Sequence, residues 1–309
     1  MKSSEPDKLL TTEEENPRTT NISSLPTAEV VRLMNVEDAL VADAVAAVLP
    51  EIAQAVDRIV ERLKTGGRLF YIGTGTSGRL GVLDAAECPP TFGVSADVVQ
   101  AIIAGGYEAC YRAVEASEDD AGAGMNDLAA RGFTNNDALV GIAASGRTPY
   151  TVGAVAHARS LGAFTAAITC VPDSAIAKAA EVSMVAVVGP EAIAGSTRLK
   201  AGTAQKMILN MLSTATMIRL GYVSGNRMSN VQARNSKLQA RAIRILIAET
   251  GLPEEAATDL LQSAAGQLPM ALVMAKTGST PEDAERALNQ TEQVVGRAIE
   301  LLTGHRTEK

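Results

Sequence analysis

Residues 67–93, GRLFYIGTGTSGRLGVLDAAECPPTFG, decide the fold. Leu69-Phe70-Tyr71-Ile72 is an apolar run of buried-strand length. Gly73-Thr74-Gly75-Thr76-Ser77-Gly78 follows, and Leu80, Val82 and Leu83 then open a helical pattern. Strand, Gly/Ser/Thr loop and helix form an arrangement that holds a phosphate. Glycines let the backbone approach the anion, the helix N-terminus aims N–H groups at it, and hydroxyls donate further hydrogen bonds. The loop lacks the Gly-Lys-Ser/Thr of a nucleotide P-loop. It matches a bare G-x-G-x-x-G, but a dinucleotide site also wants an acidic residue closing the second strand. Here that strand, 98–103, runs into Ala104-Gly105-Gly106, and the loop hydroxyls favour a sugar phosphate.

Downstream of this stretch, apolar runs at 98–103, 138–143, 164–171 and 182–188 alternate with helical segments. They are near-continuous rather than alternating, as strands buried on both faces of a parallel sheet must be. The expected fold is α/β, a doubly wound αβα sandwich on a five-stranded parallel sheet. Ligands in such folds lie at the carboxyl ends of the strands. Two more Ser/Thr/Gly loops fall there: Ala144-Ser145-Gly146-Arg147-Thr148-Pro149 and Gly195-Ser196-Thr197-Arg198-Leu199-Lys200. Three such loops on one edge, two of them carrying cations, point to an anionic, hydroxyl-rich ligand.

Residues 1–25 are polar, with Glu13-Glu14-Glu15 before Asn16-Pro17, and are expected to be mobile unless a partner surface orders them. N-terminal helices are expected over 26–66, with Pro50 breaking or kinking the long apolar pattern of 38–63. The sugar-phosphate domain is expected over 67–225 and a helical region over 226–309. Met207, Met211 and Met217 on a helix over 203–220 suit core or a subunit interface. A helix over 226–249 carries Arg227, Arg234, Lys237, Arg241 and Arg244, read as a solvated face or the partner of acidic helices. Residues 252–303 read as three short helices, with eight acidic and three basic residues, a poor DNA-reading helix-turn-helix.

The chain has 309 residues, is 46% hydrophobic with only 3% aromatic residues, and carries a net charge of −7. An aliphatic, Ala/Gly-packed core follows, and the acidic balance argues against nucleic acid as a general partner. Three scattered cysteines, Cys88, Cys110 and Cys170, make neither a disulfide framework nor a metal spacing, which suits a reducing cytoplasm. The N-terminal sequence has no apolar signal-peptide region, and no apolar run is long enough to span a bilayer. The expectation is a soluble cytoplasmic protein with no membrane partner.

His157 and His305 are the only histidines, one mid-helix and one in the tail, and neither joins a ligand cluster. Cys88 reads as a small core thiol rather than a nucleophile. Two carboxylates stand out. Glu87, in Asp84-Ala85-Ala86-Glu87-Cys88-Pro89-Pro90, sits where the prolines should end the helix begun at the phosphate loop, near a strand-end cleft. Glu118 lies in Glu115-Ala116-Ser117-Glu118-Asp119-Asp120, where Ser117-x-x-Asp120 has the form of a capping box. By spacing alone, each reads first as an acidic residue at a helix end and only second as a general acid or base.

Residues 73–93, the string GIAASGRTPY at 141–150 and the string GSTRLKAGTAQKMILNMLST at 195–214 resemble the N-acetylmuramic acid 6-phosphate etherases. The resemblance covers nearly the whole chain and is weakest in the first ~20 residues and the last helices, as termini usually vary. The glucokinase regulatory protein shares this sugar-isomerase-type domain but is a larger, non-enzymatic tandem; a single domain with both glutamates points to the etherases. The resemblance implies cleavage of the D-lactyl ether of N-acetylmuramic acid 6-phosphate to N-acetylglucosamine 6-phosphate and D-lactate, in recycling of cell-wall sugars. It implies a cytoplasmic homodimer with no metal or organic cofactor. It puts Glu87 in the acid position and Glu118 in the second active-site position, read as the C2 base, with Thr76, Ser77, Ser145 and Thr148 holding the sugar phosphate. The alternative is a non-catalytic sugar-phosphate sensor acting on a partner protein; a ketose–aldose isomerase also needs a C2 base but not the DAAECPP segment.

Overall fold

Leu69, Phe70, Tyr71 and Ile72 are wholly buried, and with Gly73 they form strand β1 (Leu69–Gly73) in the middle of a sheet. The structure, a computed structural model, describes residues 10–114, 118–230 and 236–304. Strands β2 (Val99–Ile103), β3 (Ala138–Ile142), β4 (Phe164–Thr169) and β5 (Val182–Val185) complete a parallel sheet of order β2-β1-β3-β4-β5. The three inner strands are buried along their whole length, whereas β2 and β5 carry half-exposed residues. Edge strands lack a neighbour on one side, so continuous burial belongs to the inner strands.

The helices are α1 (Thr27–Asp38), α2 (Val41–Ala46), α3 (Leu49–Lys64), α4 (Gly75–Phe92), α5 (Ala121–Ala130), α6 (Pro149–Ser160), α7 (Ala175–Ala179) and α8 (Lys200–Leu220). Small residues set how close they come to the sheet. A Cβ on Gly141 would stand 2.4 Å from Val155 of α6 and 3.0 Å from Ile176 of α7, on one face of the sheet. On the other face, a Cβ on Gly81 of α4 would stand 3.0 Å from Tyr71 and 3.3 Å from Ile142. The result is the expected αβα sandwich. Pro50 does not kink a long helix: it occupies the first turn of α3, where its missing N–H costs no hydrogen bond, and the break falls at Ala47-Val48.

Part of the expected mobile segment is held by the chain's own surface. Asn16 and Thr19 are buried; Asn16 donates to Pro190 O at 3.1 Å and to Glu37 Oε2 at 2.8 Å, and Thr19 Oγ1 donates to Ala192 O at 2.9 Å. Glu37 also meets Arg18 and the Nζ of Lys200, at 2.5 and 2.7 Å. A buried lysine needs such a partner, so a polar stretch that reads as loose is pinned through ionic contacts.

The chain divides into two units: Met1–Ala86 with Asp97–Ser213, and Glu87–Ala96 with Thr214–Lys309. The division therefore falls inside α4 and α8 rather than at 225. In the second unit, residues 223–224 and 227–228 form a two-stranded hairpin where a helix from 226 was expected. The helix α9 (Ser236–Thr250) begins only after it, and Arg234 and the side chain of Lys237 lie outside the described residues. Four helices follow rather than three: α10 (Glu254–Ser263), α11 (Leu268–Thr277), α12 (Pro281–Gln290) and α13 (Val295–Thr303). Leu246, Leu261, Leu268, Leu272, Val273 and Leu288 form their common core.

Candidate active site

Three glycines shape the turn from β1 to α4, each for its own reason. A Cβ on Gly73 would lie 2.9 Å from Ile142 O, and one on Gly78 only 2.6 Å from Gly73 O and Ile103 Cγ1. Gly75 has a positive φ of 49°, which side-chain-bearing residues adopt only at a cost. Gly78 N donates to Thr74 O, so the N–H groups just before it have no earlier helical carbonyl to reach and point out of the amino end of α4. The turn lies at the carboxyl edge of the sheet. Gly73 is in register with Ile142 of the neighbouring β3, which brings residues 74–77 and 143–148 side by side. The chain leaves β1 for β2 on one side and returns to β3 on the other, so this is the switch point where doubly wound folds bind ligands.

Glu118 arrives at this edge from a distant loop. Its Oε1 lies 3.6 Å from where a Cβ on Gly75 would stand, and its carbonyl accepts from Tyr150 N at 3.1 Å. Close packing of α5 on α6 fixes that loop: a Cβ on Gly124 would meet Tyr150 O at 2.3 Å, and one on Gly153 would meet Ala121 O at 2.5 Å. The capping residue of α5 is Asp120, whose Oδ1 accepts from Gly122 N and Ala123 N. Ser117, the expected first member of a capping box, lies outside the described residues.

Ser145 and Thr148 occupy the loop after β3, both half-buried. Thr148 precedes Pro149 at the start of α6 and makes no side-chain cap, so its hydroxyl is not spent on the helix. Gly146 turns the loop at φ 67°, where a Cβ would stand 2.3 Å from Ser174 Oγ. The structure thus brings together Glu118, Ser145, Thr148 and the first turn of α4.

Thr76 and Ser77 diverge. Ser77 is 9% exposed and its Oγ donates to Gln205 Oε1 at 3.0 Å. Thr76 instead lines a cavity of about 250 Å³ with Leu80, Arg198, Gly202, Thr203 and Lys206. Gln205 was missed by motif reading although it lies in the quoted 195–214 string; nothing local marks it, because its partner is 128 residues away. Asp84 was also missed. It is buried and accepts from Tyr71, Asn210 and Ser213, and burial raises its pKa against the pull of those donors.

Glu87 lies on α4 twelve residues after Gly75, is exposed and belongs to the second unit. Pro89 and Pro90 lie inside the last turn of α4 rather than beyond it; Gly93, at φ 70°, ends the helix by donating to Pro89 O. Their missing N–H groups leave the carbonyls of Ala85 and Ala86 without the usual helical donor.

Other groups fall away from the site. Cys88 is buried, and burial with the nearby Glu191 pushes the Cys170 thiol up to about 12, away from nucleophilic use. A larger cavity of about 550 Å³ beside β2 is lined by Ile103, Tyr107, Cys110, Asp127 and Tyr150, with the Tyr150 hydroxyl donating to Asp127 Oδ2. Burial and Asp127 both raise the Tyr150 pKa, so it stays a neutral phenol. Among the described residues no group of three or more His, Cys, Asp or Glu could hold a metal ion. His305 lies outside them. Among the described residues, too, no single helix is long and apolar enough to cross a membrane.

Residues 51–159 match the glucokinase regulatory protein N-terminal SIS domain, and 120–215 match the SIS domain. The chain is 51% identical over 292 residues to N-acetylmuramic acid 6-phosphate etherase 1 of Bacillus licheniformis, covering 94% of this chain and 96% of the relative. It is 52% identical to N-acetylmuramic acid 6-phosphate etherase 2 of Vibrio cholerae, over 94% and 95% of the two chains. It is 54% identical to the N-acetylmuramic acid 6-phosphate etherase of Aeromonas hydrophila, over 91% and 94%. The chain belongs to the N-acetylmuramic acid 6-phosphate etherase family. The matches run over nearly the full length of this chain and of each relative.

Proposed function

We propose that this etherase-family chain cleaves the D-lactyl ether of N-acetylmuramic acid 6-phosphate, giving N-acetylglucosamine 6-phosphate and D-lactate. The observation that carries the reading is the Glu118 carboxylate beside Gly75, at the amino end of α4 and next to the Ser145–Thr148 loop. A base stands there a few ångströms from a place built for an anion. In the open-chain sugar the C1 aldehyde makes the C2 proton acidic. Glu118 takes that proton, and the electron pair is held on the C1 oxygen. Its return forms the C2–C3 double bond and breaks the C3–O bond to the lactyl group, whose oxygen takes a proton from the acid. Water then adds its hydroxyl at C3 and a proton at C2. One base and one acid complete the sequence, each worth roughly 10²–10⁴-fold in rate.

The phosphate is taken by the N–H groups of α4 and by the hydroxyls of Ser145 and Thr148. Ser77 contributes its N–H while its hydroxyl stays on Gln205, and Thr76 is taken up below. The acid is Glu87, by its match to the family motif. The working enzyme is a homodimer in which Glu87 of one copy serves the site of the other. The exposed position of Glu87 supports this. Scattered cysteines that form no disulfide fit a cytoplasmic enzyme of cell-wall sugar recycling.

The test is incubation with N-acetylmuramic acid 6-phosphate and assay of both products. Equimolar D-lactate and N-acetylglucosamine 6-phosphate are expected. Tight binding without lactate release would make the chain a sugar-phosphate sensor instead.

A further inference from the structure

The 250 Å³ cavity beside the first turn of α4 has no place in the phosphate reading. Thr76 and Leu80 form one wall, and Arg198, Gly202, Thr203 and Lys206 the other. The walls are close because α8 carries no side chain at their nearest approach: a Cβ on Gly202 would stand 3.5 Å from Thr76 Cγ2. Arg198 and Lys206 are both exposed, and among the described residues neither forms a salt bridge. Lys206 does feel the buried Asp84, but that carboxylate already accepts from Tyr71, Asn210 and Ser213. Two cations, a free hydroxyl and an apolar wall share one small concavity. An anion with a short apolar neighbour fits that lining.

The position of the cavity narrows the choice of anion. Thr76 follows Gly75, and their Cα atoms are about 3.8 Å apart. Glu118 Oε1 is 3.6 Å from the Cβ position of Gly75. The cavity therefore opens about one sugar substituent away from the base that works at C2. The proposed substrate carries two anionic groups. The phosphate is already assigned to the N–H groups of α4 and the Ser145–Thr148 loop, which leaves the lactyl group on C3, next to C2, ending in a carboxylate beside a methyl group.

We propose that this cavity is the subsite for the lactyl carboxylate, resting on the reading of the reaction given above. Arg198 pairs with the carboxylate, Lys206 adds a second positive charge, the Thr76 hydroxyl donates to it, and Leu80 meets the lactyl methyl. The site then tells substrate from product, since N-acetylglucosamine 6-phosphate has lost the group that the cavity holds.

The test uses Arg198→Met, Lys206→Met and Arg198→Lys in the full-length protein, with Ser145→Ala as the phosphate-side control. Each variant is measured for KM and kcat with N-acetylmuramic acid 6-phosphate, and calorimetry gives its affinity for that compound and for N-acetylglucosamine 6-phosphate. Loss of one charge-assisted contact is expected to weaken substrate affinity by about 10–100-fold. Affinity for N-acetylglucosamine 6-phosphate should stay within about twofold of wild type, because none of its groups reaches the cavity. Arg198→Lys should recover part of the loss, and Ser145→Ala should weaken both compounds alike. Equal weakening of both compounds by Arg198→Met and Lys206→Met would place the phosphate in the cavity and overturn the proposal; so would no change in either. If the wild type binds muramic acid 6-phosphate but releases no D-lactate, the reaction reading fails and the two affinities still decide the subsite. If it binds neither compound, both readings fall.

Discussion

At the residue scale, the chemistry asks for two groups in opposite protonation states, and Glu118 and Glu87 differ in where they stand. Glu118 is half-buried, and its loop is clamped by the bond from Tyr150 N and by glycine-mediated packing of α5 on α6. Glu87 stands exposed on α4, twelve residues after Gly75. Their substitutions should therefore fail differently. Glu118→Gln should lose both exchange of the substrate C2 proton with D₂O and release of lactate. Glu87→Gln should keep the exchange and lose the release, each drop being about 10²-fold or more. Exchange followed by NMR in D₂O separates the two. If Glu87→Gln abolishes exchange while Glu118→Gln retains it, base and acid are reversed.

At the element scale, the start of α8 is where the fold concentrates buried charge. Glu191 accepts from Lys200 N at 3.0 Å and Ala201 N at 2.9 Å, capping the helix with an anion. Lys200, 1% exposed, is neutralised by Glu37, which Arg18 and Asn16 also bind. Arg198 and Gln205 hang from this same helix start, so the cluster positions both the cationic cavity and the partner of Ser77. Removing the Glu37 carboxylate leaves a buried lysine unpaired, and Glu37→Ala should cost about 3–5 kcal/mol in urea denaturation. The hydrogen bond from Arg18, with those of Lys200 and Asn16, overcomes the cost of burial and lowers the Glu37 pKa from 4.5 to about 2. A carboxylate depressed in the fold lends stability above its unfolded pKa and loses it as pH falls toward the folded one. The gap between wild type and Glu37→Gln should be full at pH 7, shrink below about pH 4.5 and be small near pH 2. A gap that does not change over that range would contradict the ion-pair account.

At the scale of the whole molecule, an active site shared between copies makes a prediction that a self-contained site does not. Inactive Glu87→Gln and Glu118→Gln proteins, mixed after reversible dissociation, should form hybrids with one intact site and one doubly substituted site. With random pairing the mixture should recover about a quarter of the wild-type rate per subunit. Recovery within the error of the separate variants would return both glutamates to one chain. Light scattering at micromolar concentration should give the mass of a dimer, and a monomer mass would remove the basis of the shared site.

The elements of the first unit were legible because local rules act over a few residues. Runs such as 69–72 and 138–142 are buried on both faces, so they show as unbroken apolar sequence, and the glycines of GTGTSG are needed where backbone meets backbone. The second unit was less legible: 226–230 carry no strong pattern, and a two-residue hairpin strand is too short to show a period. Within the candidate site, the place of Ser145 and Thr148 in the loop after β3 could be read by rule, since the strand run before them ends locally. Only the tertiary structure put Glu118 beside Gly75, split Thr76 from Ser77, and anchored polar residues 12–19 through buried Thr12, Asn16 and Thr19. Each of these depends on a partner distant in sequence, as Gln205 is from Ser77 and Lys200 from Glu37. Which distant residues meet is set by the strand order and by how closely the helices can pack, and neither is written in the neighbours of any one residue.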